Sequence, residues 1–539
     1  MCFRILSIYL LLIFSVTLYG QKNHDANHDI SRLGSSSSFD NVVLNNQPGQ
    51  NQRNVTICSF TNGWLFAAYT HILNNVEYVT VLKSVDNGHN WILLSDVSTD
   101  TPSWRFKKLQ MVSCGSDTSN LYLLFSMSIY DTGGGFYLGF VDRFNVNTIS
   151  WEGDILNDNS REIYDISIAG DDIFPATGSN PCSIAVVYFK RYQHDSIYYC
   201  VSGNGGQSFT TRRNIAGTNK KFGKVCLSYG RSLSYPNGRY FAAWEEKETD
   251  TSLLGHIYTS HSEPNFNSIF TTPVCVDIVD PAMDNRVRHP AIATQSGSFD
   301  NDNSDLTTVI TFEQYKETDH NFNIGGCFNK KGVTGSSFQS FSLNANGHNK
   351  LTPDIAFNPY DSAFVLTYFD STDFKLPFLF NSFNLLSPGN WNFLSQGFNI
   401  NLNLSSPKPS IRIDHSLQNG MVSWIEEGSS GNGIAMFSSP LLYPVGIQNE
   451  STIKDSLTLK LYPNPTSALL VIDLQLFKPH LVNLSIFNEY SNEIFAEKML
   501  PCKLGYNFIT IDVSSYPKGM YFLTITCGEN HTTKKFIVK

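Results

Sequence analysis

The stretch Phe241-Ala242-Ala243-Trp244-Glu245-Glu246 is a short apolar run closed by an aromatic ring and then by acids. Its pattern returns at Phe66-Ala67-Ala68-Tyr69, Ala185-Val186-Val187-Tyr188, Val309-Ile310-Thr311-Phe312, Val365-Leu366-Thr367-Tyr368 and Met421-Val422-Ser423-Trp424, with a looser copy at Tyr122-Leu123-Leu124-Phe125. The closing aromatics stand at 69, 125, 188, 244, 312, 368 and 424, giving spacings of 56, 63, 56, 68, 56 and 56. A fixed return of this length marks a chain built from stacked units.

A second apolar stretch precedes each copy, as in Lys224-Val225-Cys226-Leu227 before Phe241 or Pro290-Ala291-Ile292-Ala293 before Val309, with polar turn residues between. That is the pattern of a β-hairpin. A third stretch follows most copies, for example Ser196-Ile197-Tyr198-Tyr199-Cys200, and a fourth usually precedes the next unit. Four short strands per unit predict a propeller blade, whose apolar faces are hidden only when neighbours stack and the ring closes. The fold expected is all-β, a seven-bladed β-propeller followed by a small C-terminal β-sandwich. The last unit runs out after Gly433-Ile434-Ala435-Met436-Phe437, and Phe39-Asp40-Asn41-Val42-Val43-Leu44 is predicted to complete it.

The chain of 539 residues has room for more than one domain, and its 13% aromatic and 16% charged content suits a packed β-rich protein. Residues 1–20, with Arg4 ahead of the largely apolar run from Ile5 to Val16, match a secretory signal peptide. That run is too short to span a bilayer, and no later one is long enough, so no transmembrane anchor is expected. Residues 21–38, with Ser35-Ser36-Ser37-Ser38, are expected to be a flexible leader, 39–445 the propeller and 446–459 a linker into a domain at 460–539.

The net charge is −9, no basic stripe stands out, and nucleic acid is therefore not expected as a partner. Loss of Cys2 with the signal peptide leaves nine of ten cysteines, an odd number. Cys58, Cys114 and Cys226 fall in predicted first strands and are expected as small buried apolar groups, while Cys502 and Cys527 are candidates to pair. Without a CxxC pair or an HExxH, no metal and no cofactor are expected. Asp300-Asn301-Asp302-Asn303-Ser304-Asp305 lacks the Gly and distal Glu of a calcium loop, and it reads as a polar turn, as does Gly133-Gly134-Gly135.

Two segments between predicted third and fourth strands are alike. Ser84-Val85-Asp86-Asn87-Gly88-His89-Asn90-Trp91 is complete in the pattern S-x-D-x-G-x-x-W, and Ser202-Gly203-Asn204-Gly205-Gly206-Gln207-Ser208-Phe209 replaces the acid with Asn204 and the indole with Phe209. They resemble the Asp-box of sialidase and BNR-repeat propellers. A short side-chain oxygen accepts from turn amides, Gly supplies backbone freedom and the ring packs beneath, so the expected role of Ser84, Asp86, Gly88, Trp91, Ser202, Asn204, Gly206 and Phe209 is structural.

Beyond Ile447 the repeat stops. Leu461-Tyr462-Pro463-Asn464-Pro465-Thr466 opens a run of alternating strands that continues through Val482-Asn483-Leu484-Ser485-Ile486-Phe487-Asn488 and Tyr516-Pro517-Lys518-Gly519-Met520-Tyr521-Phe522 to Lys534-Lys535-Phe536-Ile537-Val538-Lys539. This segment resembles the type IX secretion C-terminal sorting domain. The resemblance implies passage through the periplasm, export by the type IX machinery, and a secreted or outer-surface location.

In a propeller the first strand begins, and the second ends, on one face of the ring. The first-strand starts offer Arg53, Arg105, Arg288 and Lys408; the second-strand ends offer His71, Lys190, Glu245, Glu246, Glu313, Asp370 and Glu426. These predict a face that grips a polar or anionic ligand. Arg288-His289-Pro290 is a poor echo of the sialidase Arg-Ile-Pro motif, and no nucleophilic Tyr or acid can be assigned. The function expected is an extracellular binding module for a glycan or protein. The alternative is a sialidase-like glycoside hydrolase, with its catalytic residues unassigned; a retaining or inverting carboxylate pair could be drawn from Glu245, Glu313 and Glu426, and against it stands the plainer reading of these acids as solvated strand-end charges.

Overall fold

The structure, a computed structural model, describes the strands and shorter connections between Val42 and Lys539. Residues 1–41 and 440–457, and the longer loops, lie outside the described residues; so do the expected signal peptide and leader, most of the linker, and the acidic run at 300–305. No helix of the described residues is long and apolar enough to cross a membrane.

Seven antiparallel sheets of four strands follow one another at 51–98, 104–152, 163–218, 221–275, 287–342, 350–399 and 410–438, the last taking its fourth strand from Val42–Val43. We number them blades 1 to 7. Within blades 1 to 6 each strand pairs with the next in sequence, so hairpin turns suffice as connections. The first strands pack side by side in chain order, and that of blade 7 packs on that of blade 1, which closes the ring. The early segment completes blade 7 as expected. Val42 lies opposite Phe437, Val43 opposite Met436, and the Leu44 amide donates to the Ala435 carbonyl at 3.0 Å.

The repeating aromatic sits in the second strand of every blade. Tyr69, Phe125, Tyr188, Trp244, Phe312, Tyr368 and Trp424 are each at most 2% exposed, and burying each ring contributes roughly 2–3 kcal/mol. The core lies between blades: one cluster joins Phe66 and Val81 of blade 1 to Phe125 and Phe144 of blade 2, and another joins Val187 and Tyr199 of blade 3 to Trp244 of blade 4. Cys58 and Cys114 are buried within such layers and Cys226 is partly buried, whereas the side chain of Cys527 lies outside the described residues.

The two serine turns are closed by their own hydrogen bonds. Ser84 Oγ accepts from the Gly88 amide at 2.9 Å and donates to Asp86 Oδ1 at 2.8 Å; Asp86 Oδ1 also accepts from the Asn90 amide, and Trp91 Nε1 donates to the Gly88 carbonyl. In the second turn Ser202 Oγ accepts from the Gly206 amide at 2.9 Å, and Asn204 Oδ1 accepts from the Ser208 amide at 3.1 Å. Gly88 and Gly206 have φ of +86° and +78°, and a Cβ there would overlap the Phe437 ring and Leu124 respectively. Each turn therefore abuts the neighbouring blade that precedes it around the ring. The glycines at 133–135 also form a turn, closed on Asp131.

At the C-terminus a three-stranded sheet (Thr458–Tyr462, Leu469–Leu476, Gly505–Asp512) and a four-stranded sheet (Glu493–Cys502, His480–Asn488, Gly519–Cys527, Asn530–Val538) share one core, in which Leu470, Ile472 and Leu474 meet Leu484, Ile486, Leu523 and Phe536. Two sheets packed on a common apolar layer make the expected sandwich.

Candidate functional site

Where the first strands meet, a cavity of about 640 Å³ opens on the propeller axis, and all seven blades contribute to its wall. The local cause is a repeated irregularity. In blades 1 to 6 the pairing of first with second strand slips, at Arg53/Thr56, Phe106/Lys108, Ile163/Asp165, Phe222/Val225, Arg288/Ala291 and Leu351/Asp354. An inserted residue bends the strand and re-aims side chains. In blade 7 Lys408 occupies the corresponding place, between the paired Pro407 and Ser410. Asn54, His289, Thr352 and Lys408 have φ of +46°, +53°, +47° and +43°, a conformation that costs a non-glycine residue of order 1 kcal/mol or more. Pro290, Pro353 and Pro409 follow three of these residues, at positions where the ladder needs no donor. Asn54, Lys107, Tyr164, Lys224, His289, Thr352 and Lys408 thus form a ring around the mouth.

The bulges are held by carboxylates. Glu313, 1% exposed, accepts from Arg288 Nε at 2.6 Å, from His289 at 3.0 Å and from the Thr352 amide at 2.7 Å, so it ties blade 5 to blade 6. Burial alone would raise its pKa, but these donors hold it below the usual glutamate value. Asp165 accepts from the Val225 amide at 2.8 Å and pairs with Lys108 at 3.1 Å. Asp354 accepts from the Ile411 amide at 2.9 Å and pairs with Arg412 at 3.2 Å.

Charge in the cavity is unbalanced. Among the described residues its wall carries seven cationic side chains (Lys107, Lys108, Arg191, Lys224, Lys247, Lys408 and Arg412) against the four carboxylates Asp165, Glu245, Asp250 and Asp354. The carboxylates are engaged, Glu245 by Lys247 at 3.1 Å and Asp250 by Arg191 at 2.6 Å. Lys224 makes no ion pair among the described residues. Burial, then repulsion from Lys224, Lys107 and Arg53, lowers the pKa of Lys408. Beside these cations Tyr137 and Tyr164 stack at 4.2 Å with both rings only partly buried.

Of the residues expected to form the ligand face, Glu245 and Lys408 line this cavity. Arg53 lies next to Asn54, and its side chain is exposed. Arg105 donates to Asn75 and to the carbonyls of Pro102 and Trp104. Arg288 and Glu313 bind each other, Asp370 bonds His348 at 2.9 Å, and Glu426 accepts from Trp424 Nε1 at 3.0 Å. Glu246 borders a smaller cleft with His256 and Arg286. Lys107, Lys108 and Lys224 escaped the sequence reading, although the X-Pro pairs at 289–290, 352–353 and 408–409 recur with the blades and mark the bulges.

Residues 460–539 match the family described as Secretion system C-terminal sorting domain. No curated protein matches the chain. Solved structures similar to it include the GH93 alpha-L-arabinofuranosidase of Fusarium graminearum (12% identity, 74% of this chain and 97% of that one, TM-score 0.41). They also include the polysaccharide lyase Uly1 (8%, 72% and 89%, TM-score 0.43) and the NanB sialidase from Streptococcus pneumoniae (8%, 65% and 70%, TM-score 0.39). The type IX sorting domain at the C-terminus marks the chain for handling by that secretion machinery and for export to the outer surface or the medium.

Proposed function

We propose that the protein is an exported binding module whose propeller, bounded at about 39 and 445, takes an acidic saccharide into its axial cavity. The segment expected as the linker, 446–459, leads into the sorting domain, whose first strand already begins at Thr458, and residues 1–20 act as a signal peptide that delivers the chain to the periplasm first. The observation that carries the reading is electrostatic: in a chain of net charge −9, the described residues of the cavity wall carry an excess of three positive charges. Low-dielectric walls concentrate such a field and favour an anionic ligand. The cations give it a charge to meet, and the partly buried rings of Tyr137 and Tyr164 add apolar wall beside them. The two serine turns support kinship with Asp-box propellers, in which they are structural.

The hydrolase reading has less support, because Glu245, Glu313 and Glu426 each already bind a neighbouring side chain. General acid/base catalysis needs a pair of carboxyls open to substrate. A saccharide array separating neutral from carboxylated and sulfated members, run beside a hydrolysis screen, tests both. Retention of acidic members alone, without turnover, is expected. Retention of neutral members alone would overturn the reading, and turnover would favour the hydrolase.

A further inference from the structure

A second site lies in blade 4, outside the cavity. His256 opens the third strand (His256–His261), Cys275 ends the short fourth strand (Val274–Cys275) directly opposite Tyr258, and Asp277 follows it. His256 Nδ1 is 2.9 Å from Asp277 Oδ2, Cys275 Sγ is 3.0 Å from Asp277 Oδ1, and all three ligand atoms lie within 4.8 Å of one another. Asp277 is the buried floor, with its carboxylate side chain 1% exposed and anchored by the Ile257 amide at 3.0 Å. His256, one third exposed, faces the cleft of about 380 Å³ that also holds Glu246, Glu248 and Arg286.

We propose that His256, Cys275 and Asp277 form a zinc site with one position open to the cleft. One nitrogen, one sulfur and one oxygen donor suit Zn²⁺, whose ligand distances of about 2.0–2.3 Å place tetrahedral donors roughly 3–4 Å apart. Two donors about 3 Å from the Asp277 carboxylate, in a set that lies within 4.8 Å overall, can converge on one ion by side-chain rotation. On binding, the Cys275 thiol gives its proton to solvent and the thiolate takes the metal, so uptake releases a proton. The open position leaves room for water or a ligand group from the cleft. Among the described residues the other grouping of this kind, His348 with Asp370 and Asp373, is weaker for zinc, because it offers no sulfur donor and Asp373 is exposed.

The sequence hides this site because its donors fall on two strands and a strand end, with none of the short spacings of a zinc motif. The test is metal analysis of the full chain after equilibration with Zn²⁺ and removal of excess, with Co²⁺ as a spectroscopic substitute. About one Zn²⁺ per chain is expected, with a thiolate-to-Co²⁺ band in the near ultraviolet and tetrahedral visible bands. Cys275→Ser should abolish the thiolate band, and His256→Ala, at a partly exposed position, should weaken binding at least about tenfold. Circular dichroism would establish that both variants are folded. Bound metal well below one equivalent, a Co²⁺ complex without a thiolate band, or folded variants that bind as the wild type does would overturn the proposal.

Discussion

The rim and the axis of the propeller both place polar side chains beside left-handed backbone, and they use them differently. At the rim, Ser84, Asp86 and Gly88 in blade 1, and Ser202, Asn204 and Gly206 in blade 3, bind one another and abut an adjacent blade. Their hydrogen-bonding capacity is used within the turn. At the axis, Asn54, His289, Thr352 and Lys408 take positive φ without being glycine, and around them Lys107 and Lys224 add charge that the nearby carboxylates do not balance. A conformation that disfavours these residues is retained at the bulges, where Asn54 donates to Thr70 and to the Phe106 carbonyl, His289 binds Glu313, and Lys408 lines the cavity. The comparison separates stability from recognition: the rim should answer to denaturant, and the lysines of the axis to ligand and salt.

The largest effect should come from the acid that braces the axis. Glu313→Gln removes a buried charge from Arg288 and His289 and should cost about 3–5 kcal/mol in chemical denaturation at pH 7. Because the folded pKa of Glu313 is depressed, its stabilisation is complete above the ordinary glutamate value of 4.5 and is lost as pH falls through the depressed value. The gap between wild type and variant should therefore narrow on acidification below 4.5. A gap that widened there would break the account of the bulge.

At the rim, Gly206→Ala meets both a positive φ and Leu124, and it should cost about 2 kcal/mol while leaving saccharide affinity unchanged. A loss of affinity at equal folded fraction would blur the division between rim and axis. Lys224→Ala should do the reverse, shifting stability by no more than about 0.5 kcal/mol and weakening acidic-saccharide binding about tenfold, with a shallower salt dependence. Smallest of all is a pH effect: since crowding by the cavity wall and by Lys224 and Lys107 lowers the pKa of Lys408, affinity should begin to fall below the ordinary lysine value of 10.5 as pH rises. Titrations across that range in wild type and Lys408→Ala would show it, the variant being flatter.

The blades were legible because one requirement repeats in each: the second strand must bury a large ring, so Tyr69, Trp244 and Trp424 kept their spacing. Closure by Val42 and Val43 was legible from an incomplete last unit and an unassigned apolar segment. The axis was harder to read, because a bulge adds a residue and a one-residue slip moves every later side chain to the other face. Arg53, Arg105 and Arg288 stand one or two positions before Asn54, Lys107 and His289, which line the cavity. Nor does spacing alone reveal that Glu313 would be occupied by three donors. Partners that come from a neighbouring blade are set by ring closure, and no local pattern records it.

The most direct test is calorimetric titration of the full chain with a sulfated or carboxylated oligosaccharide at low and high salt, against a variant carrying Lys107→Ala, Lys224→Ala and Lys408→Ala together. Saturable binding of one ligand per chain, weakened by salt and lost in the folded triple variant, is the predicted result. Equal binding by the triple variant, or no binding of any acidic saccharide by the wild type, would contradict the axial cavity as the site of recognition.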